Sequence, residues 1–454
     1  MRPASRPRGS GSSCGKRLCS RGLLFSLFLM KTALILLLAG VFGPLVAGEM
    51  LVSDAESARK AVLAAQPGDV IILKAGEWKD SDLRLDGVGT KEQPVTIRAE
   101  RAGETIFTGA SRIRLGGEYL VVSGLFFINL SGANADWFEF RIDSKRLADH
   151  CRVTDCAFME KAGFTGGEKE NRWIGIYGTD NQLDHCLISG KKNKGATVVV
   201  WLGEADTGHH RILKNAFTER PRLGKNGGET LRVGDSKTSM SKAECLVEGN
   251  VFTKCDGETE CVSNKSCGNV YRGNWFVETQ GTLTLRHGND CLVEDNYFVG
   301  LGDQTGGIRV IGEGHRIIGN FLYGLEGDGF RSAICLVNGI PDSPANGYLQ
   351  VKNVLIEGNT IFGCKEGILI GHNDEDEATL APEGVRFVKN QITALEGRPA
   401  VRVERAATGI VWEGNGYSGE LIGMEAVEGL DANTVVNKIA VPIAPTDVGT
   451  TWMK

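Results

Sequence analysis

The sequence predicts an all-β fold, a right-handed single-stranded parallel β-helix, on three observations. A short marker of the form x-V/I-x-G/K-N-x-F recurs along the chain. The spacings between markers are irregular but cluster near 22 to 25 residues. The 454 residues include 61 glycines and only 12 prolines, a balance that suits many short strands joined by tight turns.

The marker asparagines are Asn215, Asn250, Asn274, Asn296, Asn320, Asn359, Asn390 and Asn415, and two earlier copies carry Cys156 and Cys186 at the same place. From Cys156 onward the spacings are 30, 29, 35, 24, 22, 24, 39, 31 and 25 residues. Each turn is expected to supply two or three short strands, with insertions elsewhere in the turn. The stacked asparagines should hydrogen-bond along the axis as an Asn ladder at the tight bend. A leucine-rich repeat would show an L-x-x-L-x-L frame and a propeller four strands in about 40 residues; neither pattern is present.

Taken in order, residues 1–29 are rich in Arg, Ser and Gly and are expected to be an upstream extension, with Met30 as the start. Residues 30–48 carry a lysine, an apolar run and small residues at Ala47 and Gly48, the pattern of a secretory signal peptide. A long basic region before the same apolar run is the alternative. The expected location is exported, periplasmic or extracellular. No other stretch approaches the 18 apolar residues of a membrane span, so no stable membrane span is expected. A short N-terminal capping helix runs from Ser53, its expected N-cap, to Ala65. It would cover the open first edge of the sheet stack. The parallel β-helix is expected over 49–426, and 427–454 as a C-terminal cap or tail.

Fifty-one Lys and Arg against 56 Asp and Glu leave a net charge of -5, which gives no pull toward nucleic acid. An acidic polymer would have to meet a local basic patch. Cysteines in TDCAF, DHCLI and AICLV sit in apolar strand contexts without C-x-x-C pairs, and buried free thiols are favoured over a disulfide framework. His315 is expected to pack, the acidic run Asp374 to Glu377 to be solvated, and the acceptor sequence at Asn129 to be silent. Nothing in the sequence speaks to oligomeric state.

Equivalent positions of successive turns lie about 4.8 Å apart, so charged residues can be located by counting from the ladder. Glu258, Glu260 and Lys265 follow Asn250 by 8, 10 and 15 residues, Arg286 follows Asn274 by 12, Arg309 follows Asn296 by 13 and Arg331 follows Asn320 by 11. Asn226 and Glu229 follow Asn215 by 11 and 14. All should fall on one side of the coil. A solvated face would be the ordinary reading of any one of these charges. A column of Arg286, Arg309 and Arg331 is different, since stacked like charges repel unless an anion lies between them. Glu258 and Glu260, two apart in an extended segment, would share a face. With the amide of Asn226 they offer the hard oxygen ligands that calcium takes.

The segments KNGGETLRVG (from Lys225), GETECVSNKS (from Gly257) and TLTLRHG (from Thr282), with PVTIRAE from Pro94, resemble polysaccharide lyase family six, which contains chondroitinase B and alginate lyases. The resemblance covers about residues 50 to 420. It implies calcium ligands at Asn226, Glu258 and Glu260, a Brønsted base at Lys265 and a catalytic arginine at Arg286. His287, Arg309, Arg331 and Glu229 become candidate substrate contacts. The implied reaction is β-elimination on an anionic polysaccharide, alginate first and dermatan sulfate second. Lys265 must be neutral to take a proton, and neighbouring positive charge favours the neutral amine. The family's usual reading makes Arg286 the acid. A guanidinium hardly gives up a proton, so Arg286 is read as stabilising the leaving oxygen, with His287 or water as proton source. A β-helix glycoside hydrolase would need paired acids and not Lys265 with Arg286; a non-catalytic polysaccharide-binding β-helix is the remaining alternative.

Overall fold

The computed structural model describes residues 47–453 except 132–135, 166–169, 204–207, 345, 374 and 434–437. The expected upstream extension, nearly all of the expected signal segment and Asp374 lie outside the described residues. Three parallel sheets of 14 strands each wind around one core, and a chain turn visits each sheet once before stepping to the next rung. The architecture is a parallel β-helix.

The marker marks a bend between two sheets. The residue before each ladder position has a left-handed backbone: Gly249 (φ 65°), Gly273 (59°), Gly319 (64°), Gly358 (63°) and Gly414 (63°), with Lys214, Asp295 and Lys389 in the same conformation. Glycine adopts that conformation without steric cost, which explains why the position before the asparagine is so often Gly. The asparagine then turns inward and is fully buried. Asn274 Oδ1 accepts from the backbone N–H (3.1 Å) and the side-chain amide (3.0 Å) of Asn250. Its own amide donates to Asn296 Oδ1 and to the Val247 carbonyl, both at 2.9 Å. The same exchange repeats from Asn215 to Asn415. Cys186 joins through its backbone N–H, which donates to Asn215 Oδ1.

A second ladder, not visible in the marker, runs at another bend. Cys151 N–H donates to Asn181, Asn181 N–H to His210, Cys245 N–H to Asn269 and Cys291 N–H to His315. Burial depresses the His315 pKa to about 4, so its neutral ring serves as an acceptor. Between the bends the core stacks like on like. Phe217, Phe252, Phe276 and Phe298 form a column with centroid separations of 4.5 to 4.9 Å, close to the rung spacing. All ten described cysteines are buried, and among the described residues none forms a disulfide.

The helix Ala55–Ala64 packs Ala58, Ala61 and Val62 inward at the N-terminal end, where the space beside Gly87 admits Val62 so closely that a Cβ there would sit 3.1 Å from it. Its cap is Asp54 rather than Ser53, because the extended Asp54 (φ -150°) brings its carboxylate to the Ser57 N–H at 2.8 Å and Ser57 reciprocates. At the other end Leu430–Ala432 adds a strand beside Asn415–Ser418. The chain then reaches back to early rungs. Asp447 pairs with Lys214 at 2.8 Å, and Trp452 Nε1 donates to the Asp155 carbonyl at 2.9 Å.

Replacing Asn274 by Ala would leave the buried Asn250 backbone N–H without its acceptor and remove the amide that donates to Val247 and Asn296, at a cost of about 2–4 kcal/mol. Urea unfolding should show that loss, with a smaller one for Asn415→Ala at the last rung; a loss under about 1 kcal/mol for Asn274→Ala would contradict the ladder's role.

Candidate functional site

One sheet carries the chemistry on its outer face. Its strands include Val198–Val200, Leu231–Gly234, Glu260–Lys265, Thr282–His287 and Ile308–Val310, in that spatial order. Leu231, Val262, Leu283 and Ile308 are in register and point to the core. By alternation the next residues point out, so Arg232, Ser263, Thr284 and Arg309 form one outward column.

That register corrects the expected arginine column. Arg309 stands opposite Thr284, not Arg286. Between Asn264 and Lys265 the pairing slips, so that Lys265 lies beside His287 and Arg286 is the unpaired extra residue of a bulge. A bulge re-aims its side chain, and Arg286 leans back to Glu260, with Nε 3.8 Å from Oε1. Arg309 reaches the same oxygen at 3.6 Å. Glu260 thus lies between the two guanidiniums and supplies the anion that separates them, while Ser263 donates to its other oxygen at 2.5 Å. Arg331 belongs to a short 3-10 turn, Gly329–Arg331. It ties that turn down through the Gln280 carbonyl (3.1 Å) and Thr259 hydroxyl (3.2 Å), immediately beside Glu258 and Glu260.

Glu258 does not share a strand face with Glu260, because it sits in the bend before that strand begins. There it meets Glu229 closely enough for a shared hydrogen bond. Burial, then the charges of Glu229 and Glu260, push the Glu258 pKa up to about 8. Glu229 is 3% exposed, and its Oε2 has no hydrogen-bond partner among the described residues. Expected as a substrate contact, Glu229 is here one of a crowd of carboxylates, a poor surface for an anion. Lys265 Nζ makes no hydrogen bond or ion pair with the described residues and faces a cavity of about 290 Å³, which Asn226, Glu229, Arg232, Arg172 and Lys194 also line.

Among the described residues no three His, Cys, Asp or Glu side chains already form a closed metal cage. The donor set nevertheless fits a hard divalent cation. A buried carboxylate oxygen of Glu229 without a hydrogen-bond partner among the described residues and the exposed amide of Asn226 line the cavity, and the Glu258 carboxyl, crowded against Glu229, adds a further oxygen donor. A cation there would relieve the repulsion that the protein leaves unsolved.

His287 is 2% exposed, and burial, Arg286 and Lys265 hold its pKa down at about 3. Its Nδ1 lies 3.2 Å from Arg286 Nη1; a guanidinium only donates, so Nδ1 accepts and the ring proton sits on Nε2. The ring is neutral at physiological pH and is not an imidazolium acid.

Sequence reasoning missed the roof of this site. Tyr348 stacks under Arg286 (4.2 Å from ring centroid to guanidinium carbon), and its hydroxyl accepts from Arg309 at 2.9 Å. Phe330 packs on Arg309 at 3.9 Å, and the Gly347 carbonyl accepts from Arg286 at 2.8 Å. Tyr348 and Gly347 belong to an insertion after Ile334–Val337. The signal was the spacing of 39 residues between Asn320 and Asn359, which places about fifteen extra residues in that turn. The groove also runs further back than Asn226. Tyr177 and Trp201 stack at 6.1 Å, with Arg141 over the first ring and Arg172 and Arg232 over the second. Among the described residues neither Trp201 Nε1 nor Arg232 Nε has a hydrogen-bond partner.

The family profile described as Chondroitinase B matches residues 52–415. The PL6 family alginate lyase AlyGC is similar in structure, with 36% sequence identity and a TM-score of 0.83, over 90% of this chain and 59% of that one; the chain thus spans about six-tenths of that enzyme's length. A mannuronic acid specific polysaccharide family 6 lyase from human gut microbiota is 27% identical, with a TM-score of 0.77, over 89% of this chain and 96% of that one. The PL6 family lyase Pedsa3628 from Pseudopedobacter saltans, at 22% identity and a TM-score of 0.71 over 89% and 99% of the two chains, shares the fold. The comparison with curated proteins finds no match.

The crowded carboxylates predict a pH signature. With its pKa raised to about 8 from the usual 4.5, Glu258 binds its proton more tightly in the folded chain than in the unfolded one. Its contribution to stability is therefore present below that window and lost as pH rises through it. In EDTA the thermal midpoint should fall between about pH 5 and pH 8, and excess calcium should remove the fall. An identical midpoint at pH 8 with EDTA and with calcium would contradict the cation site.

Proposed function

This chain belongs to the chondroitinase B family, polysaccharide lyase family six, and from that premise we propose that it cleaves a uronate polymer by calcium-assisted β-elimination. Alginate is the first substrate, favoured by the alginate lyase at 36% identity; dermatan sulfate, favoured by the matched family's description, is the second. The observation that carries the reading is an amine with no ion pair among the described residues, Lys265, facing a cavity edged by carboxylates and an amide, with Arg286 and Arg309 just beyond them.

In this reading Lys265, as the neutral amine, takes the proton from the carbon beside the uronate carboxylate. The electron pair left behind forms the ring double bond, and the bond to the leaving glycosidic oxygen breaks. Calcium held by Asn226, Glu229, Glu258 and Glu260 would neutralise the substrate carboxylate and so stabilise the enolate-like charge. Arg286 stabilises the leaving oxygen, its fork fixed by Gly347 and Tyr348. The proton that completes the leaving group comes from water, since the guanidinium retains its own and His287 is already neutral. Arg309, gripped by Phe330 and Tyr348, and the Tyr177–Trp201 platform with its arginines extend the groove on either side, matching charge to successive carboxylates and a flat face to sugar rings. Arg331 acts mainly by holding the turn that carries Phe330. Export follows from the signal-like residues 30–48, and the product is an oligosaccharide with an unsaturated end.

The unsaturated product absorbs in the near ultraviolet, which separates a lyase from a hydrolase or a binding protein. Lys265→Ala should lower kcat on alginate by at least about 10³ while circular dichroism stays unchanged, and EDTA should abolish the signal reversibly. Full activity under either condition would sink the mechanism.

A further inference from the structure

Arg220 ends the strand Ala216–Arg220 and is 2% exposed. Every N–H of its guanidinium goes to a backbone carbonyl. Nη1 donates to Lys191 (2.6 Å) and Asn193 (2.8 Å), Nη2 to Gly195 (3.1 Å) and Gly227 (3.4 Å), and Nε to Gly228 (3.2 Å). These carbonyls come from two irregular segments on adjacent rungs, 191–195 and 227–228, and the second joins Asn226 to Glu229. Lys191, also buried, fastens the first segment from inside through the carbonyls of Asn193 and Lys194.

A third segment rests on the same point. Gly228 and Gly257 approach backbone to backbone, so that a Cβ on Gly257 would lie 2.1 Å from the Gly228 carbonyl oxygen and 3.1 Å from Arg220 Cγ. Asp256 N–H donates to the Arg220 carbonyl at 2.7 Å, and Leu223 N–H to that of Gly257 at 2.9 Å. Gly257 leads directly into Glu258. The guanidinium therefore holds the loop of Asn226 and Glu229 directly, and the loop that leads into Glu258 packs against that loop and against the backbone carbonyl and Cγ of the same arginine. Among the described residues no carboxylate pairs with it, yet those of Glu229, Glu160 and Glu258 are near enough to act on its charge. A buried cation without a contacting counter-ion is expensive compared with an apolar side chain of the same size, which ties its presence to the charge cluster above it.

We propose that Arg220 is a positioning residue for the cation site, holding the Asn226–Glu229 and Gly257–Glu258 loops at the separation a divalent ion requires. It also offsets part of the carboxylate repulsion before the ion arrives. The inference rests on the calcium reading given above.

The test is calcium titration of the EDTA-stripped full chain by calorimetry, for wild type, Arg220→Met and Arg220→Lys, with kcat and KM on alginate measured across calcium concentrations. Arg220→Met should bind calcium at least tenfold more weakly. Its kcat should be low at limiting calcium and recover toward wild type when calcium is saturating, with KM little changed. Arg220→Lys, with three donors in place of five, should fall between, and it decides the matter if circular dichroism shows that Arg220→Met does not fold. Asn274→Ala, destabilised at the ladder, should keep wild-type calcium affinity. Wild-type affinity in Arg220→Met, or in Arg220→Lys where that variant alone folds, overturns the positioning role. A wild-type chain that binds no calcium overturns the calcium reading instead.

Discussion

The structure depends on one repeated constraint, a buried asparagine amide that must find its partners on the rungs above and below. Because Asn274 gives to Asn296 and receives from Asn250, no rung can slip relative to its neighbours without leaving polar groups unpaired in an apolar core. The left-handed residue before each asparagine turns the chain at the same point of every rung. Register on the far sheet follows from register at the bend. Leu231, Val262, Leu283 and Ile308 therefore face inward together, and the side chains between them are delivered to one outer face.

That face is held in electrostatic tension. Glu260 is shared by Arg286 and Arg309, whereas Glu229 and Glu258 face each other with too little positive charge in contact. The imbalance is local and lies at the edge of a cavity, and the backbone that maintains it is fixed from below by Arg220 and by glycines that let two loops touch. Such an arrangement costs stability in the absence of a ligand, and on the proposed reading a bound cation would relieve it. The arginines on the opposite side do the reverse for an anion, and the aromatic rings of Tyr348 and Phe330 keep their planes fixed.

What the sequence made legible was whatever the backbone repeats. The ladder asparagines, the glycines before them and the aromatic column recur because each rung imposes the same geometry, and counting along them brought Glu258, Glu260, Lys265 and Arg286 to one region. Counting failed where a rung departs from the repeat. The bulge that sets Arg286 apart from Arg309 depends on a one-residue slip between two strands, which neither strand records alone. Glu258 lies in a bend outside strand periodicity, so its partner is Glu229 from the previous rung rather than Glu260 two residues on. Tyr348 comes from an insertion whose length was visible and whose path was not. The second ladder mixes Asn, His and Cys, and so has no single letter to find.

In the proposed mechanism rung register brings a cation site and a proton-accepting amine to the same sugar. A crystal structure of the Lys265→Ala variant grown with calcium and an alginate oligosaccharide tests it most directly. The expected result is a metal ion bound between Asn226, Glu229, Glu258 and Glu260, and a uronate whose carboxylate meets that ion and whose adjacent C–H points at position 265. An ion bound elsewhere, or a sugar chain that crosses the face with no uronate C–H directed at position 265, would contradict it.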